Sequence, residues 1–286
     1  MNIKEVLALT EEYLQANGVE EPRLDAEVLL ADLLDMERIK LYVNFDYPLT
    51  DEELAGYRER VKKRAKHLPV AYITGHKEFM SLDFYVDQSV LIPRPETEHL
   101  VAEVIAHCEE KELEEANIVD VGTGSGAIMV SLGSNLPGAR IAGIDCSGAA
   151  LAVAEKNIEK QGLEERLKVI KGDLLQPFVE RGKSNVDIVV SNPPYIARKE
   201  MEELPPEVLR EPEAALNGGR QGLELYQRLI PQAHKVLRPG GFLFLEIGCK
   251  QAEEVKQLLA EGWEQIEVKK DYSGLDRVIK AGKVGD

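Results

Sequence analysis

Residues 186–195 read Val-Asp-Ile-Val-Val-Ser-Asn-Pro-Pro-Tyr, an apolar run that ends abruptly in two prolines. Neither proline can donate to a sheet ladder, and each proline restricts the residue before it. The pattern therefore predicts a buried strand over 186–190 and a rigid loop that carries the Asn192 amide and the Tyr195 phenol. Ligands bind at the carboxyl ends of strands in open α/β sheets. A proline-stiffened turn is the simpler interpretation of a Pro-Pro pair alone, but a second motif upstream favours a ligand site.

Composition places the chain among globular proteins and excludes several other classes. The 286 residues, 44% hydrophobic and 30% charged, suffice for one large domain or two ordinary ones. No apolar run approaches the roughly 18 residues that span a membrane, and the acidic N-terminus does not resemble a signal peptide. The widely spaced Cys108, Cys146 and Cys249 form no disulfide framework, and the five histidines lack metal-ligand spacing. We therefore expect a cytoplasmic protein without a metal.

The net charge of −16 bears on the class of partner. A protein that holds duplex nucleic acid by its phosphates usually carries a basic face. The charge balance disfavours that use, although residues 60–66 form a local basic patch. An acidic surface better suits a basic protein partner or a cationic small molecule.

The hydrophobic periodicity divides the chain into three parts. Helical spacing over 3–16, a second run from Pro22 and a third from Thr50 predict an all-helical unit over 1–74. Short aromatic and β-branched runs broken by turn formers then predict a β-hairpin linker over 75–94. Strand and helix patterns alternate over 95–286.

That alternation predicts an α/β domain with a mostly parallel, seven-stranded Rossmann-like sheet and an antiparallel hairpin at one edge. The predicted strands are 117–121, 140–144, 167–170, 186–190, 241–247, 265–269 and 277–281. The predicted helices include one that opens at Pro95 and others over 126–135, 148–161, 222–237 and 250–260.

The second motif is a glycine-rich turn at the end of the first strand of that sheet. Residues 117–126 read Asn-Ile-Val-Asp-Val-Gly-Thr-Gly-Ser-Gly. Alternate glycines let the backbone turn tightly and approach a ligand closely. The GxGxG spacing differs from the GxGxxG of dinucleotide-binding proteins, and such a turn alone is weak support for a nucleotide site.

Acidic residues follow the next two predicted strands. Asp145 is placed to accept both hydroxyls of a ribose, and Asp173 is placed to accept from an adenine amino group. Each acid alone is more simply a helix cap or a loop residue. Three such features at successive strand ends together predict an adenosine ligand that lies across the strand tips.

The combined motifs resemble those of class I S-adenosylmethionine methyltransferases, and Asn-Pro-Pro-Tyr is similar to the subset that acts on planar amino or amide nitrogens. Further motifs narrow the resemblance: Ile92-Pro-Arg-Pro-Glu-Thr-Glu98, Glu211-Pro-Glu-Ala-Ala-Leu216 and Gly222-Leu-Glu-Leu-Tyr226. The set resembles the HemK family, the protein-glutamine methyltransferases that modify peptide chain release factors. The resemblance spans nearly the whole chain, including Asp276-Arg277.

The resemblance implies S-adenosylmethionine as the cofactor and S-adenosylhomocysteine as its product. The implied cofactor contacts are Asp120, Gly122, Thr123, Gly124, Ser125, Gly126, Asp145, Asp173, Leu174 and Asn192. Leu174 stands where an aromatic residue is common in the family. The implied substrate contacts are Asn192, Pro193, Pro194, Tyr195, Arg94 and Glu98, of which Asn192, Pro193 and Tyr195 serve catalysis.

The implied substrate is the glutamine of a Gly-Gly-Gln loop in a release factor, bound by a monomeric enzyme. We expect the Asn192 side-chain oxygen and the Pro193 carbonyl to accept the two amide hydrogens, with Tyr195 stacked on the flat amide. Residues 1–74 are expected to provide a second, docking contact with the substrate protein.

Three other functions compete with this one. A nucleic-acid methyltransferase that acts on the adenine amino group would use the Asn-Pro-Pro-Tyr loop in the same way, because that amine is also planar and delocalised. Such an enzyme must flip a base and bind phosphates. The net charge of −16 disfavours phosphate binding. A non-catalytic adenosine-binding protein has no need of an acceptor pair beside the methyl position. A dinucleotide-dependent oxidoreductase disagrees with the glycine spacing.

Overall fold

The structure, a computed structural model, describes residues 1–182, 185–259 and 261–285. The chain divides into two compact units. The helical unit comprises Met1–His76 and Pro205–Arg210, and the sheet unit comprises Lys77–Leu204 and Glu211–Asp286. The docking role expected for residues 1–74 stays a prediction.

The helical unit is built from α1 (Ile3–Ala16), α2 (Pro22–Leu33), α3 (Arg38–Val43), α4 (Asp51–Arg64) and α5 (Val70–Thr74). Asn2 and Thr50 form capping boxes with Glu5 and Glu53, which satisfy orphan N–H groups at the starts of α1 and α4. A core that includes Leu7, Leu14, Leu30 and Tyr57 holds the helices together. The sequence does not predict α3 and α5, because such short helices show no clear periodicity.

A buried arginine joins Pro205–Arg210 to this unit. The Arg64 side chain lies in the interior of the helical unit, with its Nε 2.6 Å from Asp25 Oδ2 and its Nη2 2.5 Å from Glu207 Oε2. Arg210 donates to the Lys66 carbonyl at 2.9 Å. A buried charge needs such partners, since leaving it unpaired in the interior is costly.

The sheet unit begins at Lys77, within a hairpin of β1 (His76–Phe79) and β2 (Leu82–Tyr85). Its other strands are β3 (Asn117–Val121), β4 (Arg140–Asp145), β5 (Leu167–Lys171), β6 (Val186–Ser191), β7 (Leu237–Glu246), β8 (Trp263–Lys270) and β9 (Asp276–Lys283). Its helices are α6 (Thr97–Glu110), α7 (Ala127–Asn135), α8 (Gly148–Lys160), α9 (Gln176–Glu180), α10 (Glu224–Val236) and α11 (Ala252–Leu258).

The described strands β3–β9 form a seven-stranded sheet in the order β5-β4-β3-β6-β7-β9-β8. The pairs among β3–β7 are parallel, whereas β9 runs antiparallel to both β7 and β8. The mostly parallel sheet with an antiparallel edge hairpin is thus confirmed.

Alternating side chains of the central strands enter two separate cores. Ile118 and Ile188 pack on one face with α6 and α7, whereas Val119 and Val189 pack on the other face with α10 and α11. Burial of both faces explains the nearly continuous apolar runs in the sequence of these strands.

Several predicted boundaries were wrong by a few residues. The helix expected to open at Pro95 begins at Thr97, because Thr97 N and Glu98 N close a turn onto the carbonyls of Arg94 and Pro95 first. The strand expected over 241–247 begins earlier, at Leu237, where it pairs with Val186. The helix expected over 250–260 spans Ala252–Leu258, and residue 260 lies outside the described part.

No helix among the described residues combines the length and the apolarity required to cross a membrane.

Candidate active site

The two sequence motifs meet at the centre of the sheet. Strands β3 and β6 are neighbours whose last residues, Val121 and Ser191, are register partners. The chain leaves β3 toward β4 on one side and leaves β6 toward β7 on the other side. This is the topological switch point at which open α/β sheets bind ligands. The loops that start at Gly122 and Asn192 therefore flank one crevice.

The glycine-rich turn leaves open space above the end of β3. Gly122 and Gly124 have φ values of +74° and +55°, which side chains rarely adopt. A Cβ at Gly122 would meet nothing within 4 Å, and one at Gly124 would meet only the Gly122 carbonyl at 3.9 Å. Gly126 differs, since a Cβ there would lie 3.2 Å from the Ala154 Cβ. The first two glycines border open volume, whereas Gly126 permits close helix packing.

Asp145 ends β4 and connects the glycine turn to the next loop. Its Oδ2 accepts from Gly124 N at 3.0 Å, and its Oδ1 accepts from Ser147 N at 2.9 Å. An ionised carboxylate offers about four lone-pair positions, so both oxygens retain capacity for a ligand hydroxyl. Asp173, after β5, is exposed and forms an ion pair with Arg228.

These loops enclose a cavity of about 220 Å³. Of the residues expected in the site, the cavity is lined by Gly122, Gly124, Asp145, Asp173, Leu174, Asn192, Pro193 and Pro194. It is not lined by Asp120, Thr123, Ser125, Gly126, Tyr195, Arg94 or Glu98. The wall also includes Leu91, Cys146, Ala215 and Leu225, to which the sequence assigns no role in the site.

Asp120 lies beneath the glycine turn, fully buried. Burial raises the pKa of its carboxyl to about 7, and the hydrogen bond that its Oδ2 accepts from Thr123 Oγ1 at 2.6 Å opposes the rise. The pair ties the turn to the strand. In this geometry Asp120 supports the turn from below.

The orientation of the Asn192 amide is set by a neighbouring helix. Asn192 Nδ2 donates to Thr97 Oγ1 at 3.0 Å, and Thr97 is only 4% exposed. No described residue donates to Asn192 Oδ1, which leaves this oxygen available as an acceptor. Thr97 belongs to the Ile92–Glu98 motif, but the sequence alone assigns it no role.

Tyr195 points to a buried carboxylate instead of the cavity beside Asn192. Its Oη donates to Glu246 Oε1 at 3.4 Å, and Glu246 at the end of β7 is 1% exposed. Burial raises the pKa of the Glu246 carboxyl to about 7 and raises the pKa of the Tyr195 phenol. Tyr195 borders a second, open groove of about 740 Å³. An acid at the end of an apolar strand was the available sequence signal for Glu246, and it was missed.

Arg94 and Glu98, expected to contact substrate, have partners inside the sheet unit. Arg94 forms an ion pair with the buried Glu211, which also accepts from Ile92 N at 3.0 Å. Glu98 accepts from Met80 N at 2.7 Å in the hairpin turn. Their substrate contacts stay a prediction.

Known proteins resemble the chain over its whole length. Residues 5–75 match the PrmC N-terminal domain profile, and residues 112–279 match a methyltransferase domain profile. The chain is 43% identical to the release factor glutamine methyltransferase of Geobacter sulfurreducens, over 99% of this chain and 97% of that protein. It is 42% identical to the protein of the same name from Moorella thermoacetica, over 98% of each chain.

A methyltransferase structure from Pyrococcus furiosus is 18% identical and has a TM-score of 0.53, covering 83% of this chain and 100% of that one. That likeness concerns the fold alone. At the identity and coverage of its Geobacter and Moorella relatives, the chain belongs to the release factor glutamine methyltransferase family.

Proposed function

We propose that the protein methylates the side-chain amide nitrogen of the glutamine in the Gly-Gly-Gln loop of peptide chain release factors, using S-adenosylmethionine and leaving S-adenosylhomocysteine. The observation that carries the proposal is the Asn192 amide, held by Thr97 with its oxygen free, beside a cavity bounded by the glycine turn. Family membership supports the substrate class.

The cavity residues fit an adenosine cofactor. The empty positions that a Cβ would occupy at Gly122 and Gly124 leave room for close backbone approach. Asp145 retains acceptor capacity for ribose hydroxyls, and Leu174 provides an apolar wall for an adenine. Asp173 is placed to accept from the adenine amino group, in competition with Arg228. When bound, S-adenosylmethionine supplies a methyl group that its sulfonium has already activated.

Asn192 and Pro193 bind the substrate amide so that its weakly nucleophilic nitrogen can accept the methyl group. An amide nitrogen is a poor nucleophile because its lone pair is delocalised into the carbonyl. Asn192 Oδ1 and the Pro193 carbonyl, to which no described group donates, accept the two amide hydrogens. Two fixed acceptors orient the nitrogen and stabilise the positive charge that develops on it. No general base is required, since the product releases its extra proton readily afterwards.

We also propose roles for the other residues expected in the site. Pro194 lines the cavity and limits the approach of the substrate amide. Stacking of Tyr195 on the flat amide requires its side chain to leave the bond to Glu246 and turn toward the cavity. Arg94, paired with Glu211, holds the loop of Ile92 beside the cavity. Thr123 and Ser125 shape the turn around the cofactor.

We further propose that residues 1–74 dock the substrate protein and that the enzyme acts as a monomer in the cytoplasm, on protein and not on nucleic acid. The helical unit has its own hydrophobic core, which supports a binding role separate from that of the sheet unit. The three unpaired cysteines suit a reducing compartment.

Mass spectrometry of a purified release factor, incubated with the protein and S-adenosylmethionine, tests the function. The expected result is one added methyl group on the Gly-Gly-Gln glutamine, absent with the Asn192→Ala variant. A release factor with that glutamine replaced by alanine is the substrate control. If no mass is added although calorimetry detects cofactor binding, the substrate is wrong. A DNA or RNA methylation assay then tests the adenine amino group.

A further inference from the structure

The loop over 192–195 carries both proposed amide acceptors but has few groups of its own that could hold it in place. Pro193 and Pro194 have no N–H, so neither residue can anchor the loop through a backbone donor. At the start of the loop, Asn192 Nδ2 donates to Thr97 Oγ1 at 3.0 Å. The Pro193 carbonyl needs equal precision, since a misplacement of about 1 Å can cost about 100-fold in rate. An anchor at the end of the loop is therefore required.

Gln251 provides that anchor. It stands directly before α11, and its side-chain Nε2 donates to the Tyr195 carbonyl at 3.0 Å and to the Gly222 carbonyl at 3.3 Å. Its Oε1 accepts from Gly248 N at 3.0 Å. A glutamine amide has one donor end and one acceptor end, so only one orientation satisfies all three partners. One half-buried side chain thus joins three loops of the sheet unit.

Two glycines let these loops approach one another closely. A Cβ at Gly218 would lie 2.7 Å from both the Pro194 carbonyl oxygen and the Tyr195 Cα. Gly222 has a φ of +75°, and a Cβ there would overlap the Tyr195 carbonyl. Gly218 N also donates to the Ile196 carbonyl at 2.9 Å. Backbone therefore packs directly on backbone behind the loop that carries the acceptors.

We propose that Gln251 is a positioning residue that fixes this loop from behind, with Gly218 as the packing surface. The inference rests on the proposed function, because a fixed loop matters to the rate only if it carries the amide acceptors. Gln251 borders the open groove beside Tyr195 and does not line the cavity proposed for the cofactor. Since the anchor binds the Tyr195 carbonyl, the phenol can turn toward the substrate while the backbone stays in place. The motif that begins at Gly222 thereby gains a role.

Two substitutions of Gln251 test the donated bonds in the release factor assay. Gln251→Leu removes all three bonds with a side chain of similar size. Gln251→Glu keeps the acceptor for Gly248 N, but its carboxylate cannot donate to the two carbonyls. In both variants kcat per cofactor-binding site, with sites counted by calorimetry with S-adenosylhomocysteine, is expected to fall by about 10- to 100-fold. Affinity for S-adenosylhomocysteine and KM for the release factor are expected to stay near wild type.

Counting the sites separates positioning from stability, because a merely destabilised variant has fewer binding sites but a normal kcat per site. Gln232→Leu is the matched control, since Gln232 is also half-buried and its Oε1 accepts from Leu175 N at 2.8 Å. At saturating S-adenosylmethionine this control is expected to keep wild-type kcat. An equal fall in Gln232→Leu overturns the proposal, and so does a wild-type kcat in Gln251→Glu.

Gly218→Ala disturbs the same loop without changing Gln251. The added Cβ must displace the backbone of Pro194 and Tyr195, so kcat per site is expected to fall while affinity for S-adenosylhomocysteine is kept. Wild-type kcat in this variant shows that the position of the loop does not limit the reaction, which contradicts the proposal.

Amide hydrogen exchange tests the anchor without any turnover. The N–H groups of Ile196, Arg198 and Gly218 bond carbonyls across these loops. Their exchange is expected to become about 10-fold faster in Gln251→Leu, and to stay unchanged in Gln232→Leu, because lost bonds favour local opening. Unchanged exchange in Gln251→Leu overturns the proposal. If wild type does not methylate the release factor, the proposed function is wrong, while exchange still decides whether Gln251 fixes the loop.

Discussion

Ser191 Oγ donates to the Val121 carbonyl at 2.7 Å, at the place where β6 and β3 end side by side. This bond joins the last residue before the glycine turn to the last residue before Asn192. Because both strands stop at the same level, the two loops open into one crevice. The register of two buried strands thus brings the proposed cofactor loop and the proposed acceptor loop together.

Replacing Asn192 with alanine separates catalysis from cofactor binding. The variant loses the amide acceptor, so kcat is expected to fall by about 100-fold or more, as when a transition-state hydrogen-bond partner is removed. Affinity for S-adenosylhomocysteine, measured by calorimetry, is expected to change little, because Gly122 and Asp145 carry the proposed binding. Asn135→Ala, on α7, removes an amide that bonds only its own helix and is the control. Near-normal turnover in Asn192→Ala contradicts the acceptor role.

The two acids on the cavity wall are expected to differ in their effect on cofactor affinity. Asp145 bonds the glycine turn and is half-buried, whereas Asp173 is exposed and paired with Arg228. We expect Asp145→Ala to weaken calorimetric affinity for S-adenosylhomocysteine by about 2 kcal/mol, the size of a lost hydrogen bond to a charged group. Asp173→Ala, the matched variant, is expected to cost less. Equal affinities for both variants and wild type mean that the ribose contact is misassigned.

Gly122 and Gly126 are a matched pair for mutation, because both have φ near +75° to +80°. A side chain at either position therefore causes similar backbone strain. An alanine Cβ at position 122 projects into open space, so Gly122→Ala is expected to lower cofactor affinity beyond its loss of stability. An alanine at position 126 presses on Ala154, so Gly126→Ala is expected to destabilise the fold further, by about 1 kcal/mol or more. Urea unfolding and calorimetry on both variants check this. If Gly126→Ala lowers cofactor affinity and Gly122→Ala does not, the cofactor does not bind beside Gly122.

Local patterns in the sequence were sufficient to predict the parts of the site that lie at the ends of strands. The apolar run before Asn192 and the glycines after Val121 identify two strands and two loops without knowledge of any partner. Long-range contacts left no such pattern. Asn192 lies 95 positions after Thr97 in the numbering, and nothing local to either residue indicates that their side chains bond. The pairing of Glu207 with Arg64 is hidden for the same reason.

Prediction from the sequence also differs from the structure where one residue can have several roles. Arg94 and Glu98 stand in a motif typical of the family, yet in this structure they bond Glu211 and Met80. A charged side chain near a site satisfies the sequence pattern equally well whether it binds a ligand or holds a loop. The bonds to Glu211 and Met80 are not evident in the sequence, and the substrate contacts of Arg94 and Glu98 stay a prediction.

Ser131 is a stabilisation site. Its hydroxyl is fully buried on α7 and lacks a hydrogen-bond partner within the described residues. Alanine removes the unsatisfied group and has a higher helix propensity, so Ser131→Ala is expected to raise the free energy of unfolding by about 1 kcal/mol. Urea unfolding monitored by circular dichroism measures this. A destabilised variant implies that the hydroxyl has a partner, such as a buried water.

The buried carboxyl of Glu246 makes stability depend on pH. The folded protein holds its proton up to a pKa of about 7, whereas the unfolded chain releases it near 4.5. Between these values the folded state binds more protons, so this residue's contribution to the free energy of unfolding falls as the pH rises. Glu246→Gln removes the titration. The variant is therefore expected to gain stability relative to wild type from pH 4 to pH 8, by a few kcal/mol at most.

Urea unfolding of both proteins at several pH values measures that difference, and taking the difference cancels the titration of the other carboxyls. Asp120, whose pKa is also raised to about 7, stays in both proteins and cancels as well. A difference that does not change with pH contradicts the raised pKa of Glu246.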